Sequence, residues 1–267
     1  MFRSYLSRLS SHFPTLFYAL KKMDLLAHFF LRIHYEPEFR ALSKFFPRNA
    51  SILIVDIGAN VGQSGLDFAA LFPRSQIRSF EANPQLKVFL QQCKSLIGDR
   101  FQFRMVGMSD SQKKLAIFVP KRRNVFIYGE ASVNSCVFDD GSVKQRIGEF
   151  VLNHFECDLI DFDSTGLIPH IVKVDVQGHE LQVLQGMKHT LSICRPHFVI
   201  ERSADDDNVM SFLRPYGYDF FVSDGYNCPA AYNSMSARVN LLCIPTRPHS
   251  TCSGLDGEAR KMGGEVS

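Results

Sequence analysis

The segment between residues 51 and 63 places the strongest constraint on the fold. Ser51 to Ile57 is a short, largely β-branched apolar run that stops at a glycine, which is typical of a strand buried on both faces of a parallel sheet. Gly58 and Gly62 allow the backbone to turn tightly after it, and we predict a helix over Gln63 to Leu71. A strand, a glycine turn and a helix in this order predict an α/β fold.

The same alternation continues along the chain. Further strands are predicted at Gln76 to Phe80, Phe101 to Met108, His170 to Val176 and Pro196 to Glu201, and further helices at Pro84 to Ile97 and His179 to Leu191. Tyr218 to Ser223 and Arg238 to Ile244 predict an antiparallel hairpin at the C-terminal edge. The pattern therefore predicts a doubly wound, mostly parallel sheet, which binds its ligand at the carboxyl ends of the strands.

Composition along the chain suggests its domain organisation. A length of 267 residues fits one globular domain with extensions. We predict an N-terminal helical extension over residues 1–50, a domain over 51–245, and a disordered tail over 246–267, which is rich in glycine, serine and charge. Between about 109 and 163 the pattern loosens into short alternating runs, which we interpret as an insertion near the active site.

Charge and cysteine usage argue against several classes of protein. A net charge of +3, from 30 basic and 27 acidic residues, does not favour a nucleic-acid partner. Seven scattered cysteines without a CxxC pair favour reduced thiols and a cytoplasmic protein. His179 and Glu180 are followed by Val183 where a zinc-protease helix needs its second histidine, so no metal site is expected.

The first 35 residues give an alternative for localisation. Charges interrupt their apolar stretch, which is too short for a membrane span and lacks the features of a secretory signal. No acid precedes Asp24, and one helical face carries Phe13, Leu16, Phe17 and Leu20. The segment predicts a helix packed on the core, with an organelle-targeting peptide or a peripheral membrane helix as the alternative.

Polar side chains at the strand ends indicate the ligand. The carboxylate of Asp56 suits the ammonium and sulfonium groups of S-adenosylmethionine and would repel a dinucleotide pyrophosphate. Asn60 replaces the middle glycine of the dinucleotide fingerprint. Glu81 closes the second strand, where it is placed to accept both ribose hydroxyls. Asp110, after the third strand, is a candidate acceptor for the adenine amine, with a solvated turn residue as the alternative.

A second polar cluster ends the fourth predicted strand, in the segment KVDVQGHE from Lys173 to Glu180. Asp175, Gln177 and the first helical turn face the same crevice as the glycine turn, which favours a role in the reaction. In the alternative interpretation the segment is a turn in which Glu180 complements the helix dipole.

Several segments together resemble the FkbM-type methyltransferases. They are VDIGANVGQ, FEANPQ, the SD of Ser109 and Asp110, KVDVQGHELQVLQG and RPHFVIE, in order from about Ile52 to Glu201. The resemblance implies a Rossmann-like class I methyltransferase and methyl transfer from S-adenosylmethionine to a hydroxyl of a sugar, glycolipid or secondary metabolite. The donor-binding residues expected from these segments are Asp56, Gly58, Asn60, Gly62, Gln63, Glu81, Ala82, Ser109, Asp110 and Asp175.

Transfer to a hydroxyl also requires removal of a proton, which a nearby base assists. Asp175 and His179 are the candidate catalytic residues, and His154 and His170 are further candidates. The acceptor is expected to be a small molecule or a glycan. Residues 1–50 and those after Pro245 lie outside the resemblance.

Two alternative functions stay open at this point. A nicotinamide-dependent oxidoreductase shares the fold and Glu81, but it conflicts with Asp56 and Asn60. A nonenzymatic interaction module would also keep the fold, although the presence of these polar residues argues against one. A cofactor titration tests the oxidoreductase alternative, and calorimetry with S-adenosylmethionine followed by a methyl-transfer screen tests the nonenzymatic one.

Overall fold

A computed structural model describes residues 14–31, 35–122, 125–132, 135–139, 141–203, 205–223, 229–232 and 240–246. The described strands are β1 (Leu53–Ile57), β2 (Gln76–Phe80), β3 (Phe101–Arg104), β4 (Gly107–Ser109), β5 (Lys113–Arg122), β6 (Val125–Phe126), β7 (Val151–Asp161), β8 (Ile171–Val174), β9 (His197–Glu201), β10 (Tyr218–Val222), β11 (Ala230–Ala231) and β12 (Asn240–Pro245). The α-helices are α1 (Pro14–Leu31), α2 (Gln63–Leu71), α3 (Lys87–Ile97), α4 (Ser142–Ile147), α5 (Glu180–Gln185), α6 (Lys188–Ile193) and α7 (Asp206–Leu213). Short 3₁₀-helices lie at Pro37–Lys44, Pro84–Leu86, Gly98–Arg100, Tyr128–Glu130, Ser135–Phe138, Asp163–Thr165 and Arg214–Tyr216.

The strands form two sheets. The main sheet has eight strands in the order β11-β10-β12-β9-β8-β1-β2-β3. Its central strands are parallel, whereas β12 runs antiparallel to both β9 and β10. The predicted doubly wound, mostly parallel sheet with an antiparallel C-terminal hairpin is therefore confirmed. Chain order proceeds outward in opposite directions from β1 and β8, which creates a crevice at their carboxyl ends.

The predicted third strand, Phe101 to Met108, is wrong in its second half. Arg104 is the last residue paired with β2, opposite Phe80. Because β2 ends there, the described chain beyond Arg104 has no partner in the main sheet. Instead Gly107–Ser109 becomes β4 and pairs in parallel with β7. Ser109 therefore belongs to a second sheet.

The predicted insertion over about 109–163 forms most of this second sheet, whose order is β4-β7-β5-β6. β5 and β7 are ten and eleven residues long and pair antiparallel. Its buried side chains form a small separate cluster of Ile117, Val119, Cys157 and Leu159. The sequence pattern is loose here because most side chains of these strands stay partly exposed.

The predicted helix from His179 to Leu191 is divided into α5 and α6. The break falls near Gly186, where an added Cβ would lie 2.0 Å from the carbonyl oxygen of Ser109. The chain therefore passes close to the backbone of β4 at the point where α5 ends and before α6 begins. This contact also joins the main sheet's helical layer to the second sheet.

The N-terminal segment packs against the main sheet's core. Leu25, Phe39 and Leu42 are buried, and the ring of Phe39 stacks on Phe68 of α2 at 4.4 Å between centroids. The side chains of Phe13, Leu16 and Phe17 and nearly all of the predicted tail lie outside the described part of the chain. Within the described ranges, no helix is long and apolar enough to cross a membrane.

Candidate active site

The glycine turn after β1 joins two neighbouring strands. Gly58 has a φ of +79°, and a Cβ at this position would lie 1.8 Å from the carbonyl oxygen of Asp175. A side chain here would clash with the backbone at the end of β8. The N–H groups of Gly58 and Ala59 donate to the carbonyl of Phe80 at 2.9 and 3.1 Å. The turn is thereby held between the ends of β2 and β8.

A cavity lies at the carboxyl ends of β1, β2 and β8, between the main sheet and the second sheet. The main sheet's turns contribute Gly58, Glu81 and Asp175 to its lining, and the opposite wall includes Ile117 and Tyr128. The insertion thus closes one side of the crevice that the main sheet creates. Such a crevice is where α/β sheets bind their ligands.

The other residues of the glycine turn face either this cavity or the core. Asn60 adopts a positive φ of 50°, and its N–H donates to Glu81 Oε2 at 2.7 Å. Gly62 instead faces α3, since a Cβ there would lie 2.4 Å from Cys93 Sγ. Among these predicted donor-binding residues, Asn60 lines the cavity, whereas Gly62 and Gln63 do not.

Glu81 lines the cavity, and backbone hydrogen bonds fix both of its carboxylate oxygens. Its two oxygens accept separate backbone hydrogen bonds, from Asn60 N at 2.7 Å and from Asn83 N at 2.8 Å. Burial raises the pKa of Glu81 to about 7, although these hydrogen bonds oppose the shift. Each oxygen retains capacity for another donor, which fits a ribose diol. Ala82, another predicted donor-binding residue, lines the same cavity.

Asp56 lies beneath the glycine turn rather than in the cavity lining. It is fully buried; the hydroxyl of Ser79 donates to Oδ2 at 3.3 Å, while Oδ1 is buried without a hydrogen-bond partner among the described residues. Burial raises the pKa of Asp56 to about 6, and the nearby Lys173 ammonium opposes this shift. Asp56 therefore has no direct access to the cavity in this structure.

Asp175 belongs to a buried network of charges. The Lys173 ammonium, 3% exposed, lies 2.9 Å from Asp175 Oδ2 and 3.8 Å from Glu36 Oε1. Burial opposes ionisation of Asp175, but Lys173 and several hydrogen bonds outweigh it and lower its pKa to about 2. The Gln177 amide bridges Asp175 and Glu201. Burial and the adjacent Asp175 raise the pKa of Glu201.

Ser109, Asp110 and His179 form a separate cluster where the end of β4 meets the start of α5. The Ser109 hydroxyl donates to Asp110 Oδ1 at 2.9 Å and lies 2.9 Å from His179 Nε2. Lys113 donates to Asp110 at 2.7 Å and lowers the pKa of that carboxyl. Burial lowers the pKa of His179. The structure brings these three predicted site residues together, but they do not line the cavity.

The further candidate histidines also lie away from the cavity. His170 precedes β8, and its Nδ1 accepts the N–H of Leu53 at 3.2 Å, which places it at the amino end of the sheet. His154 lies on β7 beside Phe118, with 6.1 Å between ring centroids. Since the cavity opens at the carboxyl ends of the strands, His170 is wrongly placed to act as a base there.

Glu180 has a local structural role. Its carboxylate accepts the backbone N–H groups of Val176 and Gly178 just before α5. These bonds fix the turn between β8 and α5. The polar segment after β8 therefore combines a braced turn with the cavity residues Asp175 and Gln177.

Sequence reasoning missed Glu36 and Glu201. Glu201 ends a predicted strand, so its position at the carboxyl edge was a usable signal. Glu36 precedes a 3₁₀-helix in the N-terminal segment, and no local motif marks it. Its place beside Lys173 depends on how that segment packs.

The fold is that of the Rossmann-like class I methyltransferases, and the cavity lies at the carboxyl ends of its strands. The domain described as "Methyltransferase FkbM domain" matches residues 56–220, more than half of the sequence. The chain therefore belongs to the FkbM methyltransferase family, and family membership implies S-adenosylmethionine as the methyl donor. The resemblance inferred from the sequence is confirmed.

One solved structure supports the fold, and a second shows a weaker likeness. Methyltransferase FkbM from Methylobacillus flagellatus KT aligns with a TM-score of 0.50 and 17% identity, over 78% of this chain and 50% of that chain. This chain thus spans about half the length of that relative. A precorrin-6y C5,15-methyltransferase from Geobacter metallireducens GS-15 aligns at 14% identity and a TM-score of 0.43, over 77% and 85% of the two chains. No curated protein sequence matches the chain.

Proposed function

We propose that this protein transfers a methyl group from S-adenosylmethionine to a hydroxyl oxygen of a sugar, a glycolipid or a secondary metabolite. Family membership supports methyl transfer. The observation that carries the proposal for a hydroxyl acceptor is Asp175, a carboxylate that lines the cavity and is kept ionised by Lys173. When bound, the donor supplies an electrophilic methyl group on a cationic sulfur.

The residues present fit this donor. Glu81 offers two fixed oxygens suited to a pair of adjacent hydroxyls. Gly58 lines the cavity and, because it has no side chain, lets the turn pack directly against the backbone of Asp175. Within the described structure, Asp56 has a buried oxygen without a hydrogen-bond partner, and its negative charge favours a cation nearby. These residues would hold the ribose and the cationic part of the donor.

Asp175 would hold the acceptor hydroxyl and receive its proton. Lys173 and Gln177 fix the two carboxylate oxygens. As the hydroxyl oxygen bonds to the methyl carbon, the carbon–sulfur bond breaks and its electron pair goes to sulfur. The oxygen gains positive charge and its proton becomes strongly acidic. A carboxylate of low pKa therefore suffices to accept the proton, which then passes to solvent.

The second sheet would select the acceptor and limit access of water. Ile117 and Tyr128 line the wall opposite the glycine turn, and Tyr128 is held by a hydrogen bond to Gln85 Oε1 at 2.9 Å. An apolar wall beside a charged crevice strengthens electrostatic interactions within it. This division assigns donor binding to the main sheet and acceptor choice to the insertion.

Calorimetry and a methyl-transfer screen test the proposal. The protein is titrated with S-adenosylmethionine, S-adenosylhomocysteine and NAD, and donor carrying a labelled methyl group is then incubated with sugars, glycolipids and hydroxylated metabolites. We expect binding of the first two ligands, no comparable binding of NAD, and label on an acceptor oxygen. NAD binding without donor binding would support an oxidoreductase, and label on carbon or nitrogen alone would contradict O-methylation.

A further inference from the structure

Glu36 lies outside the matched family domain, which begins at residue 56, and contacts Lys173 beside the cavity without being part of the cavity lining. Ser64 donates to its Oε1 at 2.9 Å, and Asn240 donates to its Oε2 at 3.2 Å. The Lys173 ammonium lies 3.8 Å from the same Oε1. The carboxylate is therefore held by a helix and two strands of the main sheet's architecture.

The backbone around Glu36 is equally fixed. Its N–H donates to Asp67 Oδ2 on α2 at 2.9 Å. The carbonyl of Glu36 accepts the N–H of Phe39, which is fully buried and stacked on Phe68. The segment thus docks on α2, the helix that begins after the glycine turn. This docking places the Glu36 carboxylate beside Lys173.

The described part of the crevice has more negative than positive charge. The carboxylates of Glu36, Asp56 and Asp175 all act on the ammonium of Lys173. Oδ1 of Asp56 is buried and accepts no hydrogen bond from the residues that the structure describes. The side chains of Glu36 and Asp175 are 24% and 28% exposed to solvent, so a ligand can reach them. Buried carboxylates in excess of their cations favour binding of another cation.

We propose that Glu36 binds the α-ammonium group at the methionine end of the donor, so that the N-terminal segment completes a donor site that the family domain contains only in part. This inference rests on the proposed function. Glu81 would hold the ribose at the end of β2, and the cavity continues past Gly58 to the end of β8. Glu36 lies beside that end of the cavity, bound to Lys173, and its carboxylate would match an ammonium in charge.

Three ligands and one substitution test this assignment. Calorimetry compares S-adenosylmethionine, S-adenosylhomocysteine and 5′-methylthioadenosine, which keeps the adenosine and the sulfur but lacks the amino acid. Glu36→Gln should weaken the first two by about tenfold to a hundredfold, as expected for loss of a charge-assisted hydrogen bond. Binding of 5′-methylthioadenosine should be unchanged. Glu38→Gln, two residues along the same segment, serves as the matched control and should leave the three affinities unchanged.

The outcomes separate this inference from the proposed function. Failure of all three ligands to bind the wild-type protein would overturn the proposed function. Donor binding that Glu36→Gln leaves intact would overturn the inference alone. Equal weakening of all three ligands would assign Glu36 a structural role and would also overturn it, and thermal unfolding of each variant shows whether the fold is retained.

Discussion

The main sheet and the second sheet differ in the solvent exposure of their charged side chains. In the main sheet Asp56 and Lys173 are almost completely buried on neighbouring strands. In the second sheet the pair Lys114 and Asp158, 4.0 Å apart, is 74% and 72% exposed. Exposed pairs contribute little to stability, whereas buried charges carry a desolvation cost that partners must offset. The main sheet therefore keeps charged side chains buried near the cavity, whereas this pair of the second sheet lies in solvent.

The largest effect expected is on turnover. Asp175→Asn should lower kcat by about a hundredfold or more, because the amide cannot receive the acceptor proton. Donor affinity should fall by much less, since the turn and Glu81 are untouched. Steady-state kinetics and calorimetry measure the two quantities. Asp158→Asn, on the exposed face of β7, is the control. A similar loss of kcat in both variants would contradict the assignment of the reaction to the main sheet.

Donor affinity depends next on Glu81. Glu81→Ala should weaken S-adenosylmethionine and S-adenosylhomocysteine alike, by about tenfold to a hundredfold, because both carry the same ribose diol. Calorimetry on the folded variant measures this loss. Unchanged affinity for both ligands would remove Glu81 from the donor site.

Donor binding should also depend on pH. Burial raises the pKa of Glu81 to about 7 and that of Asp56 to about 6. Protonation removes the charge that the donor needs, so affinity should decrease as pH falls through this range, by up to about tenfold per pH unit for a single group below its pKa. Glu81→Gln cannot titrate and should flatten the upper part of the profile. A profile that is flat from pH 8 to pH 5.5 in the wild type would contradict this account.

The wall formed by the second sheet gives a smaller and more selective effect. Tyr128→Ala should raise the acceptor KM several-fold, on the order of the 1–3 kcal/mol that a lost cavity contact costs, with donor affinity nearly unchanged. Tyr128→Phe keeps the ring and loses the hydrogen bond to Gln85, so it should have a smaller effect. Loss of donor affinity in Tyr128→Ala would show that this wall belongs to the donor site.

His179 provides the smallest expected change. Because its Nε2 faces Ser109 and the ring does not line the cavity, His179→Ala should reduce kcat less than about tenfold, short of the loss expected for a general base. A hundredfold loss, with activity that decreases as pH drops through the histidine pKa, would restore it as the base.

Local sequence determined the elements whose partners are near in the chain. α2 begins at Gln63 and ends at Leu71 as predicted, and β2 spans Gln76 to Phe80. Strand ends, glycine turns and the carboxylates beside them each depend on residues that are adjacent in the sequence. For that reason Gly58, Glu81 and Asp175 could be assigned to one crevice from the sequence.

Tertiary structure alone decided the features that depend on distant partners. Phe101 to Met108 is apolar through much of its length, but β2 ends opposite Arg104, and β7 pairs with Gly107–Ser109 instead. The sequence predicts Asp56 at the ligand, yet it lies beneath the turn because its strand position places it beside Ser79 and Lys173. Glu36 reaches Lys173 across more than a hundred residues of sequence, through packing of Phe39 on Phe68. Such contacts are set by packing between elements, and no local pattern encodes them.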